Sequence, residues 1–223
     1  MDMSKQLEQF NLQAEKANPE GYEYYLLKMD GKATQEQLTQ LQAYSNLAIP
    51  ESLRGFYEKN GGIVPCYTYN VETYLRIPSV AQLLDDLNEN SSMNVKYPKL
   101  TRKGMGLIDS IRDSWGNDRW EFEEGKFFSA NDLRFLNENY KGFGLYRHNL
   151  ESAWYLYFDQ HGNFGEIHYD QDDFNALEEH LRAMLVKSPA NYNLDTLLHH
   201  ALKQILLVCA DSEDKMKIIL MNF

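Results

Sequence analysis

The segment WYLYFDQHGNFGEIHY, residues 154–169, constrains the fold more than any other part of the chain. Two runs of aromatic and β-branched residues flank a short polar stretch that contains Gly162, a pattern typical of a β-hairpin. The two strands of a hairpin are antiparallel. Segments with helical spacing lie before and after these strands, without a strand–helix–strand alternation. We therefore predict an α+β fold: a mainly antiparallel sheet with helices packed on one face, plus a C-terminal helical extension.

Six segments repeat apolar residues at helical spacing: 4–17, 34–44, 50–59, 79–87, 173–185 and 194–209. Thr34 and Ser79 each begin a capping box, and Asp172 is predicted to cap the fifth of these helices. Between the fourth and fifth segments, residues 90–106 are polar and predict an exposed loop, while 106–128 predict short strands with a turn.

The stretch LAIPESLRGFYEKNGG, residues 47–62, predicts two helices joined by a fixed elbow. Proline suits the first position of a helix, and a glycine pair with a preceding asparagine suits a left-handed exit. The residues that define this pattern are Ile49, Pro50, Leu53, Phe56, Asn60, Gly61 and Gly62. Their expected role is structural, because a helix start and a helix stop account for all of them.

The chain divides, by these patterns, into an N-terminal helix over 1–21, an α+β domain over 22–187 and a C-terminal helical extension over 188–223 that packs on the domain. The apolar face of the helix over 194–209 is wide enough either to pack on the domain or to pair two copies. The last residues, 212–223, fit a short helix or an edge strand equally well. The oligomeric state stays open at this stage.

Charge restricts the partners that the chain can bind. Lys and Arg number 22 against 33 Asp and Glu, a formal net charge of −11. Such a chain repels phosphate, which disfavours direct binding to nucleic acid and favours a basic protein partner. Two distant cysteines without a Cys-x-x-Cys pair indicate a reducing compartment. With no long apolar run and no signal-peptide pattern, we expect a cytoplasmic protein without membrane contact.

Few residues suggest chemistry. The hairpin turn lacks the full set of oxygen ligands of a calcium loop, so a plain turn is the preferred interpretation. His168, Asp170 and Asp172 alternate as metal ligands can, but a solvated strand end followed by a helix cap is the preferred interpretation. Cys66 with a histidine is the one enzyme hypothesis left open. We expect no catalytic residues, no metal site and no cofactor.

Two segments combine aromatic residues with carboxylates, the composition that protein-binding hot spots favour. They are WGNDRWEFEE and HYDQDD. The candidate interface residues are Trp115, Trp120, Glu121, Glu123, Glu124, Tyr169, Asp170, Asp172 and Asp173. Trp154 lies in the middle of a predicted strand and is expected in the core.

The elbow, together with the hairpin and capped helix over 142–185, resembles the SUKH superfamily. That superfamily includes bacterial immunity proteins of polymorphic toxin systems and a fungal regulator of cell-wall glucan synthesis. The resemblance covers about residues 22–187 and is weakest over 90–130. It implies a binding protein that neutralises a cognate toxin, often a nuclease, by direct contact inside the producing cell. The alternative implied by the fungal branch is a non-catalytic regulatory scaffold.

Overall fold

A computed structural model describes residues 2–17, 26–66, 74–87, 105–115, 125–149 and 151–210, with positions 214 and 217. Within these ranges the helices are α1 (Met3–Ala17), α2 (Gln35–Ser45), α3 (Glu51–Lys59), α4 (Val80–Leu87), α5 (Leu107–Trp115), α6 (Ala130–Asn139), α7 (Phe174–Val186) and α8 (Leu194–Cys209). The strands are β1 (Leu26–Asp30), β2 (Gly62–Cys66), β3 (Tyr74–Arg76), β4 (Tyr140–Arg147), β5 (Ser152–Asp159) and β6 (Phe164–Asp170). No described helix is long and apolar enough to cross a membrane.

The strands form two antiparallel sheets, which confirms the predicted α+β class. The larger sheet has the order β3-β4-β5-β6, and the smaller one pairs β1 with β2. The predicted hairpin joins β5 to β6, and Gly162 takes the left-handed φ of +79° in its turn. Among the described residues, a bridge between Ile63 and Ile77 connects the two sheets.

Helices cover both faces of the larger sheet, so the prediction of helices on one face is wrong. Strand β5 explains the difference: nearly all of its residues are buried, and they alternate between two cores. Leu156 and Phe158 face one core, while Tyr155 and Tyr157 face the other. A strand that is apolar at consecutive positions requires cover on both sides.

The first core joins residues of α1, α2, α3, α4 and α8 with residues of both sheets, and α8 packs directly on the larger sheet. The second core lies between the larger sheet and α5, α6 and α7. Helix α8 contributes its whole apolar face to the first core: Leu194, Leu197, Leu198, Ala201, Leu202, Ile205 and Leu206. This face therefore packs within the chain. Leu7 and Phe10 of α1 are buried in the same core, where α1 packs against α8 and β1.

The elbow between α2 and α3 is held by side-chain hydrogen bonds. Asn46 ends α2 in the left-handed conformation, with φ of 57°. The Gln42 amide then spans the turn: its Nε2 donates to the Leu47 carbonyl at 2.6 Å, and its Oε1 accepts from the Ile49 N–H at 2.9 Å. Pro50 is the N-cap of α3, whereas it was predicted to be the first helical residue.

The glycine pair after α3 is required by close backbone packing. Gly61 has φ of +77°, whereas Asn60 stays right-handed, so the left-handed exit belongs to Gly61 alone. A Cβ on Gly62 would lie 2.5 Å from the Ile77 carbonyl oxygen and 2.5 Å from the Ser79 N–H nitrogen. Ile49, Leu53 and Phe56 are buried beside this joint, in agreement with a structural role for the motif.

Two local predictions are corrected here, and one helix had not been predicted. Residues 107–115 form helix α5 rather than short strands, because Leu107, Ile108 and Ile111 follow helical spacing and are buried. Met105 is also buried, so the predicted exposed loop ends before it; residues 90–104 lie outside the described part. Helix α6 was not predicted, although Ser129 and Asp132 form its capping box.

The cap of α7 is also shifted. Asp173, not Asp172, accepts the hydrogen bond from the Ala176 N–H. The capping boxes at Thr34 and Ser79 are confirmed, since each hydroxyl accepts from the backbone N–H three residues later.

We expect Gly62→Ala to lower the free energy of unfolding by about 2 kcal/mol or more, because the added methyl group meets backbone that cannot rotate away. Gly55→Ala is the matched control. Gly55 lies inside α3 with no atom within 4 Å of an added Cβ, so this change should stabilise by up to about 1 kcal/mol. Urea unfolding of both variants measures the difference, and equal effects would contradict the close packing at Gly62.

Candidate functional site

Three of the predicted interface residues lie together at one end of the larger sheet. Asp170 ends β6, and Asp172 and Asp173 lie in the turn that leads into α7. The loop before β5 runs alongside, because the Gln171 N–H donates to the Glu151 carbonyl at 2.8 Å. Asp172, Asp173 and Glu151 are exposed, and Asp170 is half-buried. We call these four carboxylates the acidic edge.

The backbone conformation of the acidic edge depends on its own carboxylates. Asp170 Oδ1 accepts from the Asp172 N–H at 2.9 Å, and Asp173 Oδ1 accepts from the Ala176 N–H at 3.3 Å. These two bonds fix the turn and start α7. Among the described residues, no lysine, arginine or histidine forms an ion pair with any of the four. No ion pair between described residues therefore neutralises the charge of these four carboxylates.

Tyr169 does not belong to this surface. It is 1% exposed and lies in the second core with Ile167, because odd-numbered residues of β6 face that core. A partner that binds the folded chain therefore cannot contact the Tyr169 ring. Of the other predicted candidates, Trp115 ends α5 but its side chain is outside the described part, as are Trp120, Glu121, Glu123 and Glu124.

A row of rings crosses the sheet next to the acidic edge. Tyr146, Trp154 and His168 are directly paired across β4, β5 and β6. The Tyr146 and Trp154 centroids are 5.2 Å apart, and those of Trp154 and His168 are 4.1 Å apart, both stacked. His148 also contacts Trp154, at 4.3 Å. Trp154 is half-buried with both ring faces occupied, consistent with its predicted core position.

Glu166 links this row to helix α8. Its carboxylate accepts from the Tyr146 hydroxyl at 3.0 Å and lies 3.2 Å from His200 Nε2. Burial raises the pKa of Glu166, while His200 and the Tyr146 hydroxyl act in the opposite direction. Burial, together with the Glu166 charge, raises the pKa of Tyr146, so its phenol stays protonated and donates. The network joins β4, β6 and α8 through polar side chains.

Both histidines beside Trp154 favour the neutral form. Burial, with a smaller contribution from His168, lowers the pKa of His148 to about 4. Burial also lowers the pKa of His168, although Asp170 and Asp173 partly oppose it. At neutral pH this end of the sheet therefore carries carboxylate charge without compensating imidazolium at these two positions.

The other chemical candidates are accounted for by local structure. Asp159 Oδ1 accepts from the N–H groups of His161 and Asn163, and its Oδ2 accepts from the Ser188 hydroxyl at 2.6 Å, so this carboxylate fixes the hairpin turn. In the described ranges no three His, Cys, Asp or Glu side chains are grouped to hold a metal ion. Cys66, half-buried at the end of β2, is a free thiol.

Sequence reasoning missed the Tyr146–Glu166–His200 network. The alternation of Glu166, His168 and Asp170 in a strand gave a partial signal, because residues two apart share a face. The contribution of α8 had no such signal, since its histidines are more than 28 residues away from β6 along the chain. Comparison with protein-family models, with curated proteins and with solved structures finds no match.

The pKa of His148 predicts a pH dependence of stability. Between pH 6.5 and about 4 the unfolded chain binds a proton at this histidine that the folded chain excludes. The free energy of unfolding should therefore fall as the pH falls through this window. We expect His148→Gln to reduce that fall, whereas His161→Gln, in the exposed hairpin turn, leaves it unchanged. Urea unfolding at pH 7 and pH 5 tests this; identical profiles for wild type and His148→Gln would refute it.

Proposed function

We propose that the chain is an immunity protein of the SUKH type, which binds a cognate toxin through the acidic edge and blocks its action. The observation that carries the proposal is the convergence of four carboxylates from two separate loops at one end of the sheet. The formal net charge of −11 adds a long-range attraction for a basic partner. The resemblance of the elbow and of the hairpin unit to that superfamily supplies the protein class.

The acidic edge suits a partner that normally binds phosphate. A nuclease holds its substrate with lysine and arginine side chains, and such a surface attracts carboxylates in the same way. Asp172, one of the exposed members, lies in a turn held by Asp170, so it is presented with little loss of backbone freedom. Binding there excludes nucleic acid by occupying the basic surface and by repelling phosphate.

The separation between the buried elbow residues and the exposed acidic residues supports the same proposal. Leu53 and Gly62 of the elbow are fully internal and fix the packing of helices against the sheet. Glu151 and Asp172 of the acidic edge lie instead on exposed turns, and their side chains accept neither of the two backbone hydrogen bonds that fix the turn, so substitutions there alter the surface without disturbing the core. A protein that must match one particular toxin benefits from this arrangement.

The direct test is co-expression with the product of the neighbouring gene. We expect a complex that survives purification, and protection of cells in which the partner alone is toxic. Absence of both a complex and protection would refute the proposal.

The acidic edge makes a sharper prediction for that complex. The triple variant Asp170→Asn, Asp172→Asn, Asp173→Asn should raise the Kd by about tenfold or more and reduce its dependence on salt. Asparagine retains the turn and the helix cap, so the fold should persist. The control Glu8→Gln, Glu15→Gln, Glu36→Gln removes the same charge from exposed positions on α1 and α2. Equal weakening by both variants would assign the effect to overall charge and contradict binding at the acidic edge.

A further inference from the structure

Strand β6 forms one edge of the larger sheet, and over most of that edge no other described strand pairs with it. The Phe164 N–H and carbonyl bond outward to Tyr192, at 3.0 Å each. Peptide groups alternate in direction along an antiparallel strand, so Glu166, His168 and Asp170 also direct their N–H and carbonyl groups away from β5. No backbone hydrogen bond from the described residues reaches these three.

The opposite edge of the sheet differs. Ile77, directly after β3, exchanges both backbone hydrogen bonds with Ile63 of β2, at 2.8 Å each. This edge is therefore joined to the smaller sheet. Among the described strands of the larger sheet, β6 is thus the one with a run of unpaired outward peptide groups. An open run of this kind is a template for an added strand.

The charges along β6 select what can be added. A second copy that used all three open residues in an antiparallel pair would place Glu166 opposite Asp170, twice. Like charges directly opposite each other destabilise a strand pair. Asp172 and Asp173 extend the same negative charge past the end of the strand. Pairing with a second copy is therefore disfavoured, and a basic strand is favoured.

We propose that β6 accepts an extended basic segment of the partner protein as a fifth strand of the sheet. This inference rests on the proposed function for the identity of the partner, and it specifies how that partner is bound. Glu166, His168 and Asp170 supply main-chain hydrogen bonds to the segment. Lysine or arginine at the end of the segment that lies beside Asp170 and Asp172 pairs with the acidic edge.

The geometry sets the length of the segment. Strand residues rise about 3.3 Å each, so about five residues span the open part of β6. Alternate residues of the segment face the side of the sheet that carries His168, and the residues between them face the opposite side. Specificity then comes from the basic positions at the acidic end, and affinity from the main chain.

Amide exchange measured by NMR tests the proposal without the natural partner. The probe is a peptide of roughly seven residues that alternates lysine and valine, and its control has glutamate in place of lysine. We expect the lysine peptide to slow exchange at Glu166, His168 and Asp170 by about tenfold or more. The amides of Ile167 and Tyr169 point to β5, are already protected, and serve as internal references.

A variant pair separates backbone pairing from charge. Asp170→Pro removes the outward N–H and should abolish peptide binding, since proline at an outward edge position spares the bonds to β5. Asp170→Ala loses the same carboxylate but keeps the N–H, so it should weaken binding only by about tenfold. Circular dichroism checks the fold of both. If Asp170→Pro fails to fold, the exchange experiment on the wild type still decides.

Three results would overturn the inference: unchanged exchange at the outward amides, equal protection by the glutamate peptide, or protection that rises with protein concentration alone, which would indicate pairing between copies. Failure of the proposed function looks different. In that case the lysine peptide still protects the outward amides, while the product of the neighbouring gene forms no complex. A complex that forms without protecting these amides keeps the function and refutes the added strand.

Discussion

The burial of β5 on both faces is the constraint on which the rest of the structure depends. Its consecutive apolar residues, Tyr155 to Phe158, are shared between two cores, so neither face of the sheet can be left to water. Each buried side chain of this size contributes about 1.5–3 kcal/mol. Helix α8 therefore covers one face and α5, α6 and α7 the other, while α1 packs against α8 and β1.

Gly61 and Gly62, directly after α3, bring the smaller sheet close to the larger one. Gly61 turns the chain in a left-handed conformation, and Gly62 lies against the backbone of 77–79 without room for a side chain. The Gln42 amide holds the preceding elbow. The acidic edge lies away from this joint, where β6 ends and helix α7 begins.

Polar groups mark the same end of the sheet for different reasons. Asp170 and Asp173 accept hydrogen bonds from the backbone of the turn, Glu166 joins the sheet to α8, and Asp172 is exposed. Their negative charge, beside the outward side of β6, supports the proposed preference of this edge for a basic extended chain over a second copy. Recognition through main-chain hydrogen bonds and charge needs no deep cavity.

The sequence by itself determined the local elements: the hairpin around Gly162, the capping boxes at Thr34 and Ser79, the glycine exit and helix α8, because hydrogen bonds and periodicity between near neighbours specify them. It also placed Asp170, Asp172 and Asp173 near one another. Tertiary structure alone decided that Tyr169 faces inward, that helices cover both sheet faces, and that His200 meets Glu166. These outcomes depend on which distant segments pack together, and one strand's pattern cannot specify its partners.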